Sequence, residues 1–396
     1  MKTIIFVRPH PRFRIYKQAL ALKRTGRYKL ILIAREINPD FLSLFLKIFN
    51  KIMFYRLVKL KNKKLDRMLM ESPIFDYLDE KKLAFLIRQE EPYIVHTMAE
   101  PNDVPMIVMK NAKAPVIFDG QDFTGISEGI ENVPLKERKA EKYCFEYAAG
   151  IVHKGPKFEI DYYRQHGYKI TCPELIYLDY CNENLFAPQN VKKLSDEDGE
   201  LHFVFTGGIS PTDKYKYIYY IPLAHKFAKQ KIHFHIYPNP TQYADTRKFH
   251  KYFMLDKNEP YFHFHKPVQY RDLNKEIAKY DFGMIIHEKL QSKRWTFEKM
   301  EVGMSNKLFS YLESGLPVIV SDHVKAISDF VVKYEIGYSI RDDELHMIGN
   351  KIEEINYKGI VRNVFKTREQ LSLSNQVSNL EAFYNEVYTY YSRKIK

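Results

Sequence analysis

The chain alternates short, continuous runs of apolar residues with longer stretches in which apolar residues recur every three or four positions. The runs at 3–7, 28–34 and 318–320 have the pattern of strands that are buried on both faces of a parallel sheet. Between the first two lies a stretch with helical periodicity, residues 13–25, which ends before Gly26. The order of strand, helix and strand predicts an α/β protein with doubly wound parallel sheets.

These strand and helix patterns occur in two groups. The first group ends with a short apolar run at 175–177, the second starts with an apolar run at 201–205, and an irregular, charged segment separates them. We therefore expect one Rossmann-like domain over residues 1–185 and a second over 186–371. A long helical pattern closes the chain, and we expect this helix, residues 372–396, to pack back on the first domain.

The stretch 304–322 carries the clearest local signal for a binding site. Ser305 is a suitable N-cap for a helix at 306–314, and Gly315 stands where a helix ends in the left-handed conformation. The free N–H groups at the start of this helix, beside Lys307, would form an anion site suited to a diphosphate. An ordinary α/β crossover with a solvated lysine explains the same residues.

Other polar residues follow predicted strands, which is where ligands bind in sheets of this kind. His10 and Arg12 follow the first strand, and Asp119 and Asp122 follow a strand at 115–118. A solvated loop and a simple turn containing Asp and Gly are the alternative interpretations of these two segments.

Two further strand ends carry candidate residues. His96 stands near the end of a predicted strand at 93–97, and Gly207 and Gly208 follow the strand at 201–205. A glycine pair lets the backbone approach a ligand closely. The pair is not part of a G-x-G-x-x-G pattern, so it does not indicate a dinucleotide cofactor.

The composition indicates an anionic partner. The 396 residues include 62 Lys and Arg against 49 Asp and Glu, a formal net charge of +13. Such an excess favours nucleic acid, anionic lipid or a phosphorylated substrate. The tyrosine-rich run 215–220 lacks the glycine-aromatic pattern of RNA-binding strands, so nucleic acid is the least favoured partner. The three cysteines lack metal-ligand spacing, predict neither a disulfide framework nor a zinc site, and fit a reducing, cytoplasmic compartment.

Residues 41–70 combine apolar and aromatic side chains at helical spacing with many lysines and arginines. We expect a basic amphipathic helical segment that can lie at an anionic membrane surface. An amphipathic helix packed on the domain core, with a solvated basic face, is the alternative. The protein would accordingly be either free in the cytoplasm or peripheral on the inner face of the membrane.

Four histidines alternate along two predicted strands, His233 with His235 and His263 with His265. The members of each pair share one face of the strand, but no nearby cysteine or carboxylate pattern completes a metal site. We therefore expect these histidines to fill a polar face, and we predict no bound metal.

Several segments resemble the retaining, nucleotide-sugar-dependent glycosyltransferases of GT-B fold, of the group 1 or family 4 type. Residues 304–322 are similar to the helix, glycine and strand element of that family, and residues 205–208 to the first strand of its donor domain. Residues 176–188 resemble the segment before its interdomain hinge. The resemblance covers most of the chain, is strongest from residue 170 onward, and implies two Rossmann-like domains that face each other across a cleft.

The resemblance also implies a role for each candidate residue. The groups expected to bind the donor are Gly207, Gly208, Lys214, Ser305, Asn306, Lys307 and Ser310. The groups expected to hold the sugar or orient the acceptor are Glu301, His96 and Asp122. The residues expected to line the cleft are His10, Arg12, Asp119, Arg294, Trp295 and Glu298, with Trp295 either stacking on a ring or anchoring its loop. Lysines and a helix dipole would carry the phosphate charge, so neither a metal nor a cofactor is expected beside the nucleotide-sugar substrate.

The sequence departs from the family pattern at several positions. Ser310 stands where the second glutamate of a paired-glutamate motif is expected, and Glu301 matches the first only with a one-residue insertion. Ile209 stands where an arginine is expected, and Gln121 where a histidine is expected. Ser310 can hydrogen-bond a hydroxyl group, but it cannot offer the charged, bidentate acceptor of a carboxylate.

The expected activity is hexosyl transfer from a nucleoside diphosphate or monophosphate sugar to a glycan or lipid-linked acceptor in cell-surface polysaccharide synthesis. Two alternatives keep the same fold. One is a nucleotide-sugar epimerase. The other is a non-catalytic partner or scaffold protein, which the serine at position 310 motivates.

Overall fold

A computed structural model of the protein describes residues 1–70, 72–287 and 296–395. The chain forms two compact units, Met1–Asp179 together with Leu373–Lys396, and Tyr180–Ser372. The second unit begins and ends on adjacent backbone, because the Cys181 N–H donates to Leu371 O at 2.9 Å.

Strands and helices alternate through both units, as the apolar pattern predicts. The strands are β1 (Lys2–Val7), β2 (Tyr28–Ala34), β3 (Lys51–Phe54), β4 (Ile94–Met98), β5 (Val116–Gly120), β6 (Gly150–His153), β7 (Glu174–Ile176), β8 (His202–Gly207), β9 (His233–Pro238), β10 (Phe262–Phe264), β11 (Phe282–Ile285), β12 (Val318–Ser321) and β13 (Gly337–Ile340). The helices are α1 (Phe13–Arg24), α2 (Pro39–Ile48), α3 (Lys63–Met70), α4 (Pro73–Gln89), α5 (Asp103–Asn111), α6 (Thr124–Glu128), α7 (Leu135–Tyr147), α8 (Phe158–Gln165), α9 (Ser195–Asp198), α10 (Ile221–Ala228), α11 (Pro240–Tyr243), α12 (His250–Asn258), α13 (Tyr270–Ile277), α14 (Phe297–Val302), α15 (Asn306–Glu313), α16 (Lys325–Lys333), α17 (Ile348–Glu353), α18 (Tyr357–Gln370) and α19 (Leu373–Ile395). Short 3₁₀ segments lie at Glu183–Leu185, Asp213–Ile218, Thr246–Phe249 and Asp342–Met347.

Each unit is built on one parallel sheet. The first has seven strands in the order β3-β2-β1-β4-β5-β6-β7, and the second has six in the order β10-β9-β8-β11-β12-β13. All of the described strand pairs are parallel. The predicted fold class, two doubly wound parallel α/β domains, is confirmed. The order of strands reverses between β1 and β4 in the first sheet and between β8 and β11 in the second, so each sheet has a crevice there at its carboxyl edge.

The prediction of one helical segment across residues 41–70 is wrong in its middle part. Helix α2 ends at Ile48, and the chain then forms the edge strand β3 beside β2. Asn50 makes the switch, because its side-chain Oδ1 accepts from Leu30 N at 2.9 Å and its own N–H donates to Leu30 O at 2.8 Å. Backbone pairing with a distant strand therefore overrides the local helical spacing. None of the helices within the described residues is long and apolar enough to cross a membrane.

The sequence pattern did not reveal the edge strand β13 and the helices that follow it. Gly337 allows this strand to pair with β12, because a Cβ atom at this position would lie 1.9 Å from Val318 O. Only a glycine permits this close backbone approach. The strand is short and partly exposed, so it lacks the continuous apolar run by which the other strands were predicted.

A buried ion-pair network holds α1 against the carboxyl end of β5 in the first unit. The Arg14 guanidinium donates to Asp119 at 2.8 and 3.0 Å and to Asp179 at 2.9 Å. Gln18 Nε2 donates to Asp119 at 2.7 Å, and a ring nitrogen of His96 lies 3.0 Å from the same carboxylate. Burial alone would raise the pKa of Asp119, but Arg14 and these hydrogen bonds outweigh it and hold this pKa well below its usual value.

Replacing Arg14 by leucine should destabilise the first unit strongly. The substitution leaves two carboxylates, Asp119 and Asp179, buried without their cation, and breaking such a pair costs about 3–5 kcal/mol. Hydrogen exchange of peptides from β1 and β5, followed by mass spectrometry, measures the opening free energy of this unit separately. The matched control is Lys23→Leu, an exposed position on the same helix, which should stay within about 0.5 kcal/mol. A loss below about 1 kcal/mol for Arg14→Leu would show that the network is not required.

Candidate functional site

Helix α15 lies across the carboxyl ends of the two strands that flank the crevice of the second sheet. Its Tyr311 hydroxyl donates to Met284 O at 3.1 Å and accepts from Thr206 N at 3.3 Å. Met284 belongs to β11 and Thr206 to β8, so one side chain joins the helix to both strands. Gly283 makes room for the ring, because a Cβ atom there would lie 2.3 Å from Tyr311 Cγ.

Lys307 lies one helical turn before Tyr311 and reaches the glycine pair at the end of β8. Gly207 has a φ of +120°, and a Cβ atom on it would lie 3.0 Å from Lys307 Cε and 3.6 Å from Nζ. The same ammonium group lies 5.0 Å from the centroid of the Phe205 ring. The positive φ therefore favours glycine at position 207, and the end of the Lys307 side chain lies close above it. Gly208 is less restricted, with Gln242 as its nearest neighbour at 3.6 Å.

The amino end of α15 carries the remaining predicted donor groups. The helix begins at Asn306, and Ser305 is its N-cap, with Oγ accepting from Lys307 N at 3.3 Å. Asn306 Oδ1 is buried, and no group among the described residues donates to it. Serine cap, asparagine and lysine thus lie together at the positive end of a helix dipole, an arrangement that attracts anions.

His287 completes this edge of the sheet, and sequence reasoning missed it. It follows β11, and its Nδ1 lies 3.1 Å from Tyr217 O, so Nδ1–H donates and Nε2 keeps a free lone pair in the neutral ring. Burial, and after it the charge of Lys307, lowers the pKa of His287 to about 4. The signal in the sequence that could have identified His287 is its position directly after a buried strand.

The other predicted donor-side residues occupy several elements. Glu298 and Glu301 lie half-buried on α14, and Ser310 lies on α15, one turn after Asn306. Lys214 is exposed on the 3₁₀ segment Asp213–Ile218, with Nζ 5.5 Å from the centroid of the Tyr215 ring. Two predicted cleft residues, Arg294 and Trp295, lie outside the described residues.

In the first unit, the network around Arg14 places two of the predicted site residues in the interior. His96 and Asp119 are both 0% exposed. The two nitrogens of His96 lie 3.0 Å from Asp119 Oδ2 and 2.7 Å from the Tyr384 hydroxyl of α19. Both ring nitrogens are therefore used in hydrogen bonds that join β4 to β5 and to α19. This geometry does not present His96 or Asp119 to a substrate.

Two basic residues at the carboxyl edge of the first sheet, Arg8 and Lys154, are buried and were not predicted from the sequence. Arg8 directly follows β1 and donates to Gln121 Oε1 at 2.8 Å. Lys154 follows β6, with Nζ 3.8 Å from Asp122 Oδ1. Burial and then the neighbouring Arg12 lower the pKa of Arg8.

Of the predicted residues on this side, three keep solvent-accessible side chains. His10 and Arg12 are exposed, and Asp122 is 34% exposed. Both missed residues, Arg8 and Lys154, lie at or just after a strand end, where a basic side chain could have been read from the sequence. This edge therefore combines one accessible carboxylate with several cationic groups.

Comparison with known protein families gave a match to part of the chain. Residues 230–379 match the family model described as Glucosyltransferase 3-like, C-terminal domain, and this segment contains α15. A comparison with curated protein sequences gave no match.

Solved structures show the same fold over nearly the whole chain. Anabaena Alr3699/HepE in complex with UDP-glucose has a TM-score of 0.67 at 12% identity and covers 96% of this chain and 100% of that chain. Sucrose-phosphate synthase from Thermosynechococcus elongatus has a TM-score of 0.66 at 14% identity and covers 100% and 99%. A UDP-N-acetylglucosamine 2-epimerase is less similar, with a TM-score of 0.54 at 12% identity and coverage of 97% and 96%. The two parallel α/β domains of this chain therefore match the GT-B fold of these enzymes.

Proposed function

We propose that the protein is a glycosyltransferase that moves a sugar from a nucleoside diphosphate sugar to a glycan or lipid-linked acceptor. The observation that carries this proposal is Lys307, held over Gly207 at the amino end of α15. A cation, a glycine loop and a helix start at the crevice of a doubly wound sheet are the elements that bind a diphosphate. The match of residues 230–379 to a glucosyltransferase domain and the UDP-glucose complex of HepE favour a UDP-sugar as the donor.

The chemistry follows from where charge builds up. As the bond between the sugar anomeric carbon and the diphosphate breaks, its electron pair goes to the leaving phosphate oxygen. Lys307 and the N–H groups of α15 stabilise that charge without reorganising. The acceptor hydroxyl forms the new glycosidic bond and loses its proton. On the donor side Glu301 would hold sugar hydroxyls and Ser310 a ribose hydroxyl, and retention of configuration is expected.

The acceptor side is proposed to lie in the first unit. Asp122 is the accessible carboxylate at the carboxyl edge of that sheet, and Lys154 lies near it. A carboxylate can take the proton of an acceptor hydroxyl, or orient that hydroxyl by accepting its hydrogen bond. We propose a cell-surface polysaccharide or its lipid-linked precursor as the acceptor, because the basic protein surface favours anionic surroundings.

Lys307→Ala should weaken the binding of UDP. A hydrogen bond to a charged group contributes about 1.5–3 kcal/mol, so the dissociation constant should rise roughly 10- to 100-fold. Isothermal titration calorimetry with UDP measures this directly and requires no acceptor. Lys226→Ala, an exposed lysine on α10 of the same unit, is the control and should bind UDP as the unmodified protein does. Equal affinities for the Lys307→Ala variant and the control would remove Lys307 from the donor site.

The epimerase alternative rests on its shared fold, and product analysis separates it from a transferase. The protein is incubated with a UDP-sugar in the absence of any acceptor, and the nucleotide sugars are followed by NMR. A transferase leaves the sugar configuration unchanged, whereas an epimerase produces a second UDP-sugar. Absence of binding of any nucleoside diphosphate would support the non-catalytic alternative, which Ser310 motivates.

We further propose that the first unit docks on anionic membranes through exposed side chains of residues 42–70 and 72–78. Its exposed apolar side chains include Leu46, Leu65, Met68 and Ile74, which are 50–69% exposed. Exposed lysines lie among them at positions 47, 61 and 64. Apolar side chains that insert beside lysines that attract lipid phosphates are typical of peripheral membrane proteins.

A double substitution, Leu65→Ser with Met68→Ser, should release the protein from vesicles. Each exposed side chain loses about 1.5–3 kcal/mol of transfer free energy if it is fully inserted, so membrane partitioning should fall at least ~10-fold. Flotation with vesicles that contain anionic lipid measures the bound fraction, and vesicles of zwitterionic lipid report the electrostatic contribution. The control replaces two exposed apolar residues of the second unit, Met254→Ser with Val332→Ser. If the control variant is released as strongly as the test variant, the assignment of this surface is wrong.

A further inference from the structure

Five histidines form a continuous row on one face of the second sheet. His202 begins β8, His233 and His235 lie on β9, and His263 and His265 lie on and after β10. Strand register brings them together, since His202 pairs with His233 and His235 pairs with His263. The rings of these two pairs are stacked, with centroids 4.4 and 4.2 Å apart.

Two carboxylates meet the outer end of this row. Asp198 Oδ2 lies 2.9 Å from His202 Nε2 and 3.9 Å from His233 Nε2. Glu200 Oε2 lies 2.8 Å from the same nitrogen of His233. Both acids lie in the segment before β8, distant in sequence from β9, so the sequence pattern did not link them to the strand histidines.

These donor atoms have the spacing of a metal site. The ligand atoms of Asp198, His202 and His233 all lie within 4.8 Å of one another. In a tetrahedral zinc site with bonds of about 2.0–2.2 Å, neighbouring ligand atoms lie roughly 3.4 Å apart. The separations of 2.9 and 3.9 Å from Asp198 therefore lie on either side of that value, and small side-chain rotations would equalise them.

His235 and His263 lie beside the two ligand histidines, at positions where they can accept a hydrogen bond from each ligand ring. His202 Nδ1 lies 2.9 Å from His235 Nε2, and His233 Nδ1 lies 2.9 Å from His263 Nε2. A histidine that binds a metal through Nε2 carries its proton on Nδ1 and donates it to a neighbouring acceptor, which fixes the ring. In the row, each ligand histidine has a second imidazole as that acceptor.

The segment that carries Asp198, which includes α9, is held to the sheet by hydrogen bonds. Asp281 accepts hydrogen bonds from Ser195 Oγ at 2.6 Å and from His202 N at 2.8 Å, which ties α9 to β8. Lys193 Nζ donates to Ala278 O at 2.7 Å and to Tyr280 O at 2.8 Å. Ligands on a preorganised loop lose less conformational entropy when the metal binds.

We propose that Asp198, His202 and His233 bind a zinc ion, and that Glu200, whose Oε2 lies beside His233, turns toward the ion as the fourth ligand. Two imidazoles and two carboxylates match the ligand types and the coordination number that zinc prefers. The site is separate from the candidate donor site, because His202 is the first residue of β8 and Gly207 the last, roughly 16 Å apart at about 3.3 Å per residue. The ion would therefore hold the amino ends of β8 and β9 together and take no part in sugar transfer.

Zinc binding to the full chain tests this proposal. The protein is dialysed against a chelator and titrated with Zn²⁺ in competition with a chromophoric chelator, and Co²⁺ is then used as a spectroscopic probe of tetrahedral coordination. We expect one ion per chain and visible cobalt bands of the intensity of a four-coordinate site. Asp198→Asn should weaken zinc binding more than about 100-fold, and His263→Gln, which acts through His233, about 10- to 100-fold.

Three controls make the outcome decisive. Asp198 is 41% exposed, so its variant should keep the circular dichroism spectrum and the UDP affinity of the unmodified protein. His225→Ala, an exposed histidine on α10, should bind zinc normally, and so should Lys307→Ala. If the unmodified protein binds no zinc, or if Asp198→Asn binds it equally well, the site does not exist. Neither result would change the assignment of the donor site.

Discussion

The candidate donor site depends on one contact, the ring of Tyr311 against Gly283. Any side chain at position 283 would collide with the ring, and the Tyr311 hydroxyl bridges β8 and β11 by hydrogen bonds at 3.3 and 3.1 Å. This contact fixes the distance of α15 from the sheet and its rotation about its own axis. Because residues four positions apart lie on the same helix face, it also directs Lys307 toward Gly207. Gly315, with a φ of +73°, then ends the helix so that the chain can turn into β12.

The two units use charge at their strand ends in opposite ways. In the first unit, the carboxylate at the end of β5 is turned inward, and Arg14, Gln18 and His96 neutralise it in the core. In the second unit, the cation Lys307 is left partly accessible at the equivalent edge. A buried, ion-paired charge gives a rigid arrangement of elements but is not accessible to a ligand. A partly accessible cation can still gain by binding an anion, which is why the proposed donor site is assigned to the second unit.

The fold was predictable because its signal is local, whereas several of the errors concern contacts between distant residues. Continuous apolar runs, and the glycines that end helices, can be recognised within one short segment of sequence. They predicted nearly every strand of both sheets. The edge strand after Asn50 could not be read in this way, since it forms by pairing with Leu30, twenty residues earlier. The burial of His96 and Asp119 likewise depends on residues that are distant in sequence. Their strand-end positions suggested a site, and only the packing of α1 and α19 shows that both are enclosed.

In the candidate sites, too, residues that are neighbours in sequence were predicted, and residues that meet only in the folded chain were not. Ser305, Asn306 and Lys307 were found because a cap, a helix start and a cation are neighbours in sequence. His287 and Lys307 are close only in the folded unit, and so are Asp198 and His233. A site assembled from several strand ends can therefore be predicted in part, at those of its groups that share one short segment.

The position of α15 suggests how a serine at position 310 could serve in place of the expected glutamate. Asn306 lies one turn earlier on the same face, and its Oδ1 is buried with no donor among the described residues. A buried, unsatisfied acceptor is unfavourable, so this atom gains by accepting from a ligand hydroxyl. Under the proposed function, the two neutral side chains would share the recognition that a single glutamate provides elsewhere. Neutral groups bind a hydroxyl less strongly than a carboxylate does, so under this proposal the donor affinity would rest more heavily on the diphosphate and hence on Lys307.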